Sequence, residues 1–174
     1  MSGILSEQST VTAFVSLGAN LEDAAQALKH AGETLEALEG VRDVVLSRVY
    51  LTEPQGFADQ PFFHNQVAGL VCGPSVIPET LLEGLLELET ALGRVRGPGP
   101  RNGPRRIDLD LLLMGREKRT GPTLTLPHPR MLERAFVLAP LAEIAPDLEL
   151  PQGMSVCQAL KRLKYAIRDG IIYQ

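Results

Sequence analysis

CxxC-spaced cysteines, long apolar runs and the pattern of a secretory leader are not seen in this sequence, and each absence argues against a class of protein. The two cysteines, Cys72 and Cys157, have no CxxC spacing, so we expect reduced thiols, with a disulfide between them left open. No apolar run approaches the roughly 20 residues that span a bilayer. Residues 1–10 lack a basic start and an apolar core. We therefore expect a cytoplasmic protein.

Net positive charge and the common nucleotide-binding motifs are missing as well. The formal net charge is −4 at pH 7, which argues against a general binder of nucleic acid or of membrane surfaces. No Gly-Lys pair occurs, so there is no P-loop, and no GxGxxG follows a predicted strand. His64 and His128 lack zinc spacing with each other or with either cysteine. Any anion site must come from a local concentration of positive charge.

Apolar periodicity predicts a β-α-β-β-α-β order of elements. Apolar residues at helical spacing predict one helix from an N-cap at Asn20 to residue 38 and another from Pro78 to residue 92. β-branched and apolar runs predict strands at residues 12–17, 41–51, 63–72 and 107–114. A small strand at 124–126 and helices at 136–144 and 155–164 follow them.

This order is typical of an α+β fold of the ferredoxin-like type, an antiparallel sheet with helices on one face, here with a C-terminal extension. The 174 residues suit one domain, and no repeat or linker divides them. Residues 1–10 are expected to form a flexible tail. Fold alone does not predict function, because many activities share it.

Two carboxylates two residues apart are the first chemical signal. Asp108 and Asp110 alternate with Ile107, Leu109 and Leu111, so both carboxylates should project from one face of a strand while the apolar side chains enter the core. A divalent cation between two carboxylates removes their repulsion, and magnesium prefers such hard ligands. The alternative is a pair of solvated acids on an exposed sheet face.

An arginine cluster precedes the carboxylates. Five arginines and no acid fall within the thirteen residues 94–106: Arg94, Arg96, Arg101, Arg105 and Arg106. Guanidinium groups match phosphate oxygens two at a time. Arginines next to a carboxylate pair supply both halves of a phosphoryl-transfer site, with a metal bridging the phosphates. The alternative is a solvated, salt-bridged loop, which is the role expected for Arg106.

Several separated motifs resemble the 6-hydroxymethyl-7,8-dihydropterin pyrophosphokinase family. The run GPRRIDLDLL at 103–112 is the most specific, and PHPRMLERAFVLAPL at 127–141 is a second, independent one. VSLGANL, YLTEP and FFHNQV agree in order, so the resemblance covers about residues 11–163. It implies a ferredoxin-like enzyme of folate biosynthesis that uses ATP and two magnesium ions and releases AMP and the pterin diphosphate.

The resemblance also implies roles for individual residues. Asp108 and Asp110 would be the metal ligands, and the catalytic set would add Arg94, Arg96 and Arg105. The ATP side would comprise Glu89, Arg96, Arg105, Leu111, Thr125, His128 and Arg134. The pterin side would comprise Gly18, Thr52, Phe63, Asn65 and Phe136. A flat heteroaromatic ring fits aromatic faces and an Asn amide, although a Phe considered alone is more often a core residue.

Some positions depart from the family pattern. Asn102 replaces a common Trp, Phe63 a frequent Tyr, and Pro129 a frequent aromatic residue. We expect the loop 93–104 to be poorly ordered or displaced without ligands and to close over ATP when both substrates are bound. Asn102→Trp should then tighten pterin binding in the ternary complex.

Two other functions can be compared with this one: a non-catalytic nucleotide-binding module and an RNA-binding domain. A non-catalytic nucleotide-binding module on the same scaffold would be expected to lose the aspartates or loop arginines. An RNA-binding ferredoxin-like domain needs exposed aromatic residues and a basic face, whereas the pI is about 5.4 and Phe and Tyr together number eight. We expect ATP and 6-hydroxymethyl-7,8-dihydropterin as partners of a monomer, without nucleic acid or membrane.

Overall fold

A mostly antiparallel sheet forms the centre of the fold. The computed structural model of the protein describes residues 9–56, 58–95 and 103–174. The strands within these ranges are β1 Val11–Ala19, β2 Val41–Leu46, β3 Tyr50–Thr52, β4 Phe63–Cys72, β5 Asp108–Met114, β6 Arg119–Thr120, β7 Thr125–Leu126, β8 Ala166–Arg168 and β9 Ile171–Tyr173. The helices are α1 Ala24–Leu35, α2 Pro78–Ala91, α3 Ala135–Ile144 and α4 Val156–Lys161, with a 3₁₀ turn at Met131–Glu133.

The strand order places β1 and β4 at the middle of the sheet. In the described residues seven strands run β5-β1-β4-β3-β9-β8, with β2 also paired to β4. These pairs are antiparallel except β3 with β9, which is parallel. β6 and β7 form a separate two-stranded ribbon. The predicted α+β fold with an antiparallel sheet is therefore confirmed at that level.

Helices cover both faces of this sheet. Val15 and Leu17 of β1 pack with α1 and α2 in one buried cluster. Phe14 of β1 points to the opposite face and packs with α3 and α4. A sheet covered on both sides explains why β1 and residues 67–72 of β4 are nearly continuous apolar runs. The prediction of helices on one face thus describes α1 and α2 only.

Two local predictions are wrong. Asn20 is not the N-cap of α1, because the helix begins at Ala24 after Asp23, whose φ is 62°. The predicted strand at 41–51 is interrupted at Ser47, whose hydroxyl accepts a hydrogen bond from the Val67 amide at 3.0 Å. At this position a hydrogen bond to the Ser47 side chain replaces a backbone hydrogen bond between the strands. β2 and β3 are therefore separate strands, and each pairs with β4.

The C-terminal part contains elements that were not predicted. β8 and β9 form a hairpin whose turn residues, Asp169 and Gly170, both have positive φ. Cys72 is buried and Cys157 half-buried, and both are free thiols. No helix in the described ranges has both the length and the apolar character needed to cross a membrane. Residues 1–8 of the predicted tail lie outside the described residues.

Candidate active site

Strand β5 places Asp108 and Asp110 where two cavities meet. The first cavity has a volume of about 350 Å³ and the second about 310 Å³, and both are lined by the two carboxylates. Leu109 and Leu111 point to the opposite face of the strand and are buried. The alternation along β5 therefore separates a polar cleft from the core.

Asp108 is neutralised by two arginines. One carboxylate oxygen accepts a hydrogen bond from Arg94 and the other from Arg105. Burial of Asp108 acts to raise its pKa, but the guanidiniums of Arg105 and Arg94 outweigh burial and lower it. Asp108 is therefore a stable anion at neutral pH.

The charge of Asp110 is compensated much more weakly by arginines than the charge of Asp108. Burial and the charge of Asp108 raise the pKa of Asp110 to about 6. Its ion-pair partner, Arg134, lies 3.7 Å from the carboxylate. The two neighbouring carboxylates therefore differ sharply in proton affinity. When Asp110 is ionised, its charge is repelled by the charge of Asp108.

Glu89 of α2 positions Arg94 and β5 together. This carboxylate is 2% exposed. One of its oxygens accepts hydrogen bonds from the Arg94 guanidinium and from the Leu109 amide, the latter at 2.7 Å. The backbone amide of Arg94 also donates a hydrogen bond to the Glu89 carbonyl. Arg94, the first residue of the arginine cluster, is therefore fixed to the end of α2.

Asn20 joins three segments around Arg105. Its Oδ1 accepts from the Arg105 amide at 2.8 Å, and its own amide donates to the Arg105 carbonyl at 3.1 Å. Its Nδ2 donates to Gln60 Oε1 at 2.9 Å and to the Pro61 carbonyl at 3.1 Å. Sequence reasoning missed this role by treating Asn20 as a helix cap. The available signal was its place in VSLGANL, one of the quoted motifs.

The predicted pterin-side residues come together in the first cavity. All five line it: Gly18, Thr52, Phe63, Asn65 and Phe136. Asn65 Nδ2 donates to the Thr52 hydroxyl at 2.7 Å, which fixes the amide and leaves its Oδ1 as the acceptor. A Cβ on Gly18 would lie 3.0 Å from that Oδ1, so glycine gives the amide its space.

The aromatic rings of this cavity are each stacked by an arginine. The Arg105 guanidinium lies 5.6 Å from the centre of Phe63, and that of Arg134 lies 5.5 Å from the centre of Phe136. Such contacts orient both partners. Glu53, Gln55 and Arg130 also line the cavity, and sequence reasoning did not select them.

The second cavity collects four of the predicted ATP-side residues: Glu89, Leu111, Thr125 and His128. Its remaining wall comes from α2, Arg94, residues 108–110, the segment 121–124 and Pro129. The His128 amide donates to the Leu112 carbonyl at 2.7 Å, and its Nδ1 accepts from the Arg130 amide at 3.1 Å. Burial, followed by the charges of Arg134 and Arg130, lowers the pKa of His128, so the imidazole is neutral at pH 7.

The other predicted residues are placed differently. Arg134 and Arg105 line the first cavity and not the second, while Pro129 lines both. The Arg134 Nε is buried and has no hydrogen-bond partner among the described atoms. Arg96, Arg101 and Asn102 lie outside the described residues.

The carboxylate pair fits a hard divalent cation. In residues 9–56, 58–95 and 103–174, no three His, Cys, Asp or Glu side chains converge as a metal cage. Magnesium needs only one or two protein carboxylates when phosphate and water complete its shell. The repulsion that raises the pKa of Asp110 is the interaction that a cation would relieve.

The family model described as 7,8-dihydro-6-hydroxymethylpterin-pyrophosphokinase (HPPK) matches residues 14–146. The chain belongs to this family. An HPPK from Pseudomonas aeruginosa, named 2-amino-4-hydroxy-6-hydroxymethyldihydropteridine pyrophosphokinase, is 43% identical over 147 residues, covering 84% of this chain and 88% of the relative. A protein of the same name from Methylorubrum extorquens is 45% identical over 151 residues, covering 87% and 92%. The predicted HPPK family is thereby confirmed.

A solved structure shares the HPPK fold. Plasmodium falciparum HPPK-DHPS, crystallised with pterin and p-hydrobenzoate, superposes with a TM-score of 0.65 over 90% of this chain at 13% identity. The chain spans 45% of that protein, so the likeness concerns one part of it. At this identity it shows the fold alone.

Proposed function

We propose that this protein transfers the pyrophosphoryl group of ATP to the hydroxymethyl oxygen of 6-hydroxymethyl-7,8-dihydropterin, releasing AMP. The prediction of a pyrophosphokinase of folate biosynthesis is confirmed by the family match and the named relatives. One observation carries the assignment to this site: the Asp108–Asp110 pair forms the common wall of two cavities. Two substrates that must meet at a metal-bound phosphate need such an arrangement.

The first cavity takes the pterin. The ring lies near Phe63 and Phe136, whose faces suit a flat heteroaromatic system. Asn65 presents its Oδ1 to the amine edge, because the hydrogen bond from its Nδ2 to the Thr52 hydroxyl orients the amide. Gly18 keeps this edge open. The cavity volume of about 350 Å³ is at the lower end of the range for small-molecule sites.

The second cavity takes ATP. Thr125 and the neutral His128 line it and offer hydrogen-bonding contacts to the nucleoside, and the buried Leu111 borders it. Glu89 also lines this cavity and orients Arg94 by accepting a hydrogen bond from its guanidinium. Arg134 lines the first cavity, so its proposed contact with the ATP phosphates lies where the two cavities join.

Asp108 and Asp110 are the proposed ligands of two magnesium ions. Bound magnesium would supply positive charge that offsets the charge of the phosphate groups. Arg94 and Arg105, which hold the Asp108 carboxylate, would also bind phosphate oxygens of ATP. Arg96 lies outside the described residues, and its proposed contribution of a further guanidinium rests on the family resemblance. The chain then promotes transfer by positioning its substrates and by fixed charge.

The finer description of the fold follows from the same elements. β1-α1-β2-β4-α2-β5 is a ferredoxin-like unit, supported by the strand order β5-β1-β4-β2. The residues after β5 form a C-terminal extension of a single domain spanning 1–174. A monomer suffices because side chains of one chain line both cavities. The free thiols suit the reducing cytoplasm.

The decisive experiment separates pyrophosphoryl from phosphoryl transfer. The protein is incubated with ATP, magnesium and the pterin alcohol, and the nucleotide products are resolved. We expect AMP and pterin diphosphate in equal amounts, and none when the pterin alcohol is omitted. Formation of ADP would indicate an ordinary kinase, and binding of ATP without products would indicate a non-catalytic nucleotide-binding module.

A further inference from the structure

Gln174 makes an unusual set of long-range hydrogen bonds. It follows β9, which pairs in parallel with β3 through Ile172 beside Thr52. Its backbone amide donates to Glu53 Oε1 at 2.6 Å, and its side-chain Nε2 donates to the Glu133 carbonyl at 2.7 Å. Its Oε1 accepts from the Ala135 amide at 2.7 Å and from Gln55 Nε2 at 3.1 Å.

These bonds link two separate parts of the first cavity. Glu53 and Gln55 follow β3 and line that cavity directly. Ala135 is the first residue of α3, and its neighbours Arg134 and Phe136 line the same cavity. One side chain therefore ties the segment after β3 to the start of α3.

The bond to Ala135 also replaces a missing helix cap. The first amides of a helix have no partner within the helix. The N-cap position of α3 is Arg134, whose side chain makes no capping hydrogen bond. Gln174 supplies an acceptor from a hairpin that lies outside the residues 14–146 matched to the family. The start of α3, and with it Phe136, is thus held by a distant part of this chain.

We propose that Gln174 is a positioning residue for the pterin-side wall of the first cavity. It touches neither reacting group and acts through Gln55, Glu53 and the start of α3. Because this wall faces the pterin only under the proposed function, the effect should appear in pterin binding. Binding of ATP in the second cavity should depend on Gln174 only weakly, through Arg134 at the start of α3.

Gln174→Ala and the nearly isosteric Gln174→Met test this role in the full-length protein. Both variants should raise the KM for the pterin alcohol about threefold to tenfold, as expected for loss of several modest hydrogen bonds. The KM for ATP and kcat should stay near wild-type values. Gln152→Ala, the same change at an exposed turn residue, is the matched control and should leave both KM values unchanged.

The outcomes are distinct. A wild-type pterin KM in Gln174→Met would show that bulk rather than hydrogen bonding matters and would overturn the proposal. A fall in Tm with no change in pterin KM, or an equal rise in both KM values, would also overturn it. Amide hydrogen exchange provides a readout without substrates, since the Ala135 amide should exchange faster in both variants, and unchanged exchange would contradict the proposal. Lack of AMP from the wild type would refute the proposed function alone.

Discussion

The two cavities share a wall but are built in different ways. The first is held by side-chain hydrogen bonds between segments far apart in sequence, through Asn20, Asn65 and Gln174. The second is formed largely by α2, β5 and the residues 121–129, and Glu89 is its main buried polar link. We infer that the shape of the first cavity depends on tertiary contacts that single substitutions can remove, whereas the second depends on ordinary packing of neighbouring elements.

The shared wall should give the largest effect. Asp110→Asn removes a charge that both cavities use, so AMP formation should fall by about 10²–10³-fold or more. Circular dichroism should show an unchanged fold, because Asp110 lies on the cleft face of β5. Asp147→Asn, at an exposed position, is the control. Substantial residual turnover in Asp110→Asn would mean that Asp110 is not a metal ligand.

Asn20→Ala should damage the first cavity selectively. The Arg105 amide loses its acceptor, and Gln60 and Pro61 lose their donor, so the pterin KM should rise about tenfold. Removal of a buried amide should also lower the free energy of unfolding by about 2 kcal/mol. Steady-state kinetics with each substrate and urea unfolding measure these quantities. A rise in ATP KM as large as that for pterin would erase the distinction between the cavities.

Glu89→Gln should affect the second cavity instead. The amide oxygen can still accept from the Leu109 amide, but it lacks the charge that holds Arg94, and a charge-assisted bond is roughly twice as strong as a neutral one. We expect the ATP KM to rise about threefold with an unchanged pterin KM. Glu87→Gln, on the exposed side of the same helix, should behave as wild type. Selective loss of pterin binding would contradict this assignment.

The smallest expected effect concerns stability and pH. The pKa of Asp110 is about 6 in the folded protein, above that of an ordinary carboxylate, so the folded state binds this proton more tightly than the unfolded state. Stability of the metal-free protein should therefore fall as pH rises from about 4 to 6. Asp110→Asn should be more stable at pH 7.5 by about 1 kcal/mol, a figure reduced for solvent screening of a side chain that is 39% exposed.

This stability difference should disappear near pH 4, where the carboxyl group is neutral in both states. Thermal unfolding without magnesium across this pH range measures it. An advantage of Asp110→Asn that persists at pH 4 would show that charge repulsion is not its cause.

Elements with a regular burial pattern can be predicted from the sequence. Elements whose boundaries depend on contacts with distant residues cannot. β4 spans residues 63–72 in both prediction and structure, and its residues 67–72, covered on both faces, form a continuous apolar run. The common face of Asp108 and Asp110 follows from the two-residue period of a strand. Ser47 interrupts a β-branched run because it bonds to Val67, twenty residues away, which periodicity does not record.

The same limit applies to the site. Most site residues in the first cavity could be named from quoted motifs, yet those motifs do not indicate what holds them. Asn20 bonds to Arg105 across 85 positions, and Gln174 to Gln55 across 119. The three-residue strand β9 has too few residues for a clear pattern, and its parallel partner β3 is equally short.

The position of Asp108 and Asp110 between two cavities has a thermodynamic consequence. Each ligand that draws Arg94, Arg105 or Arg134 from its carboxylate changes the electrostatic potential that the other ligand meets. The binding equilibria of the two substrates are therefore linked, and the factor by which one alters the affinity of the other must be the same in both directions. If the two substrates bind as proposed, a single wall that serves two compartments would couple their binding within one chain.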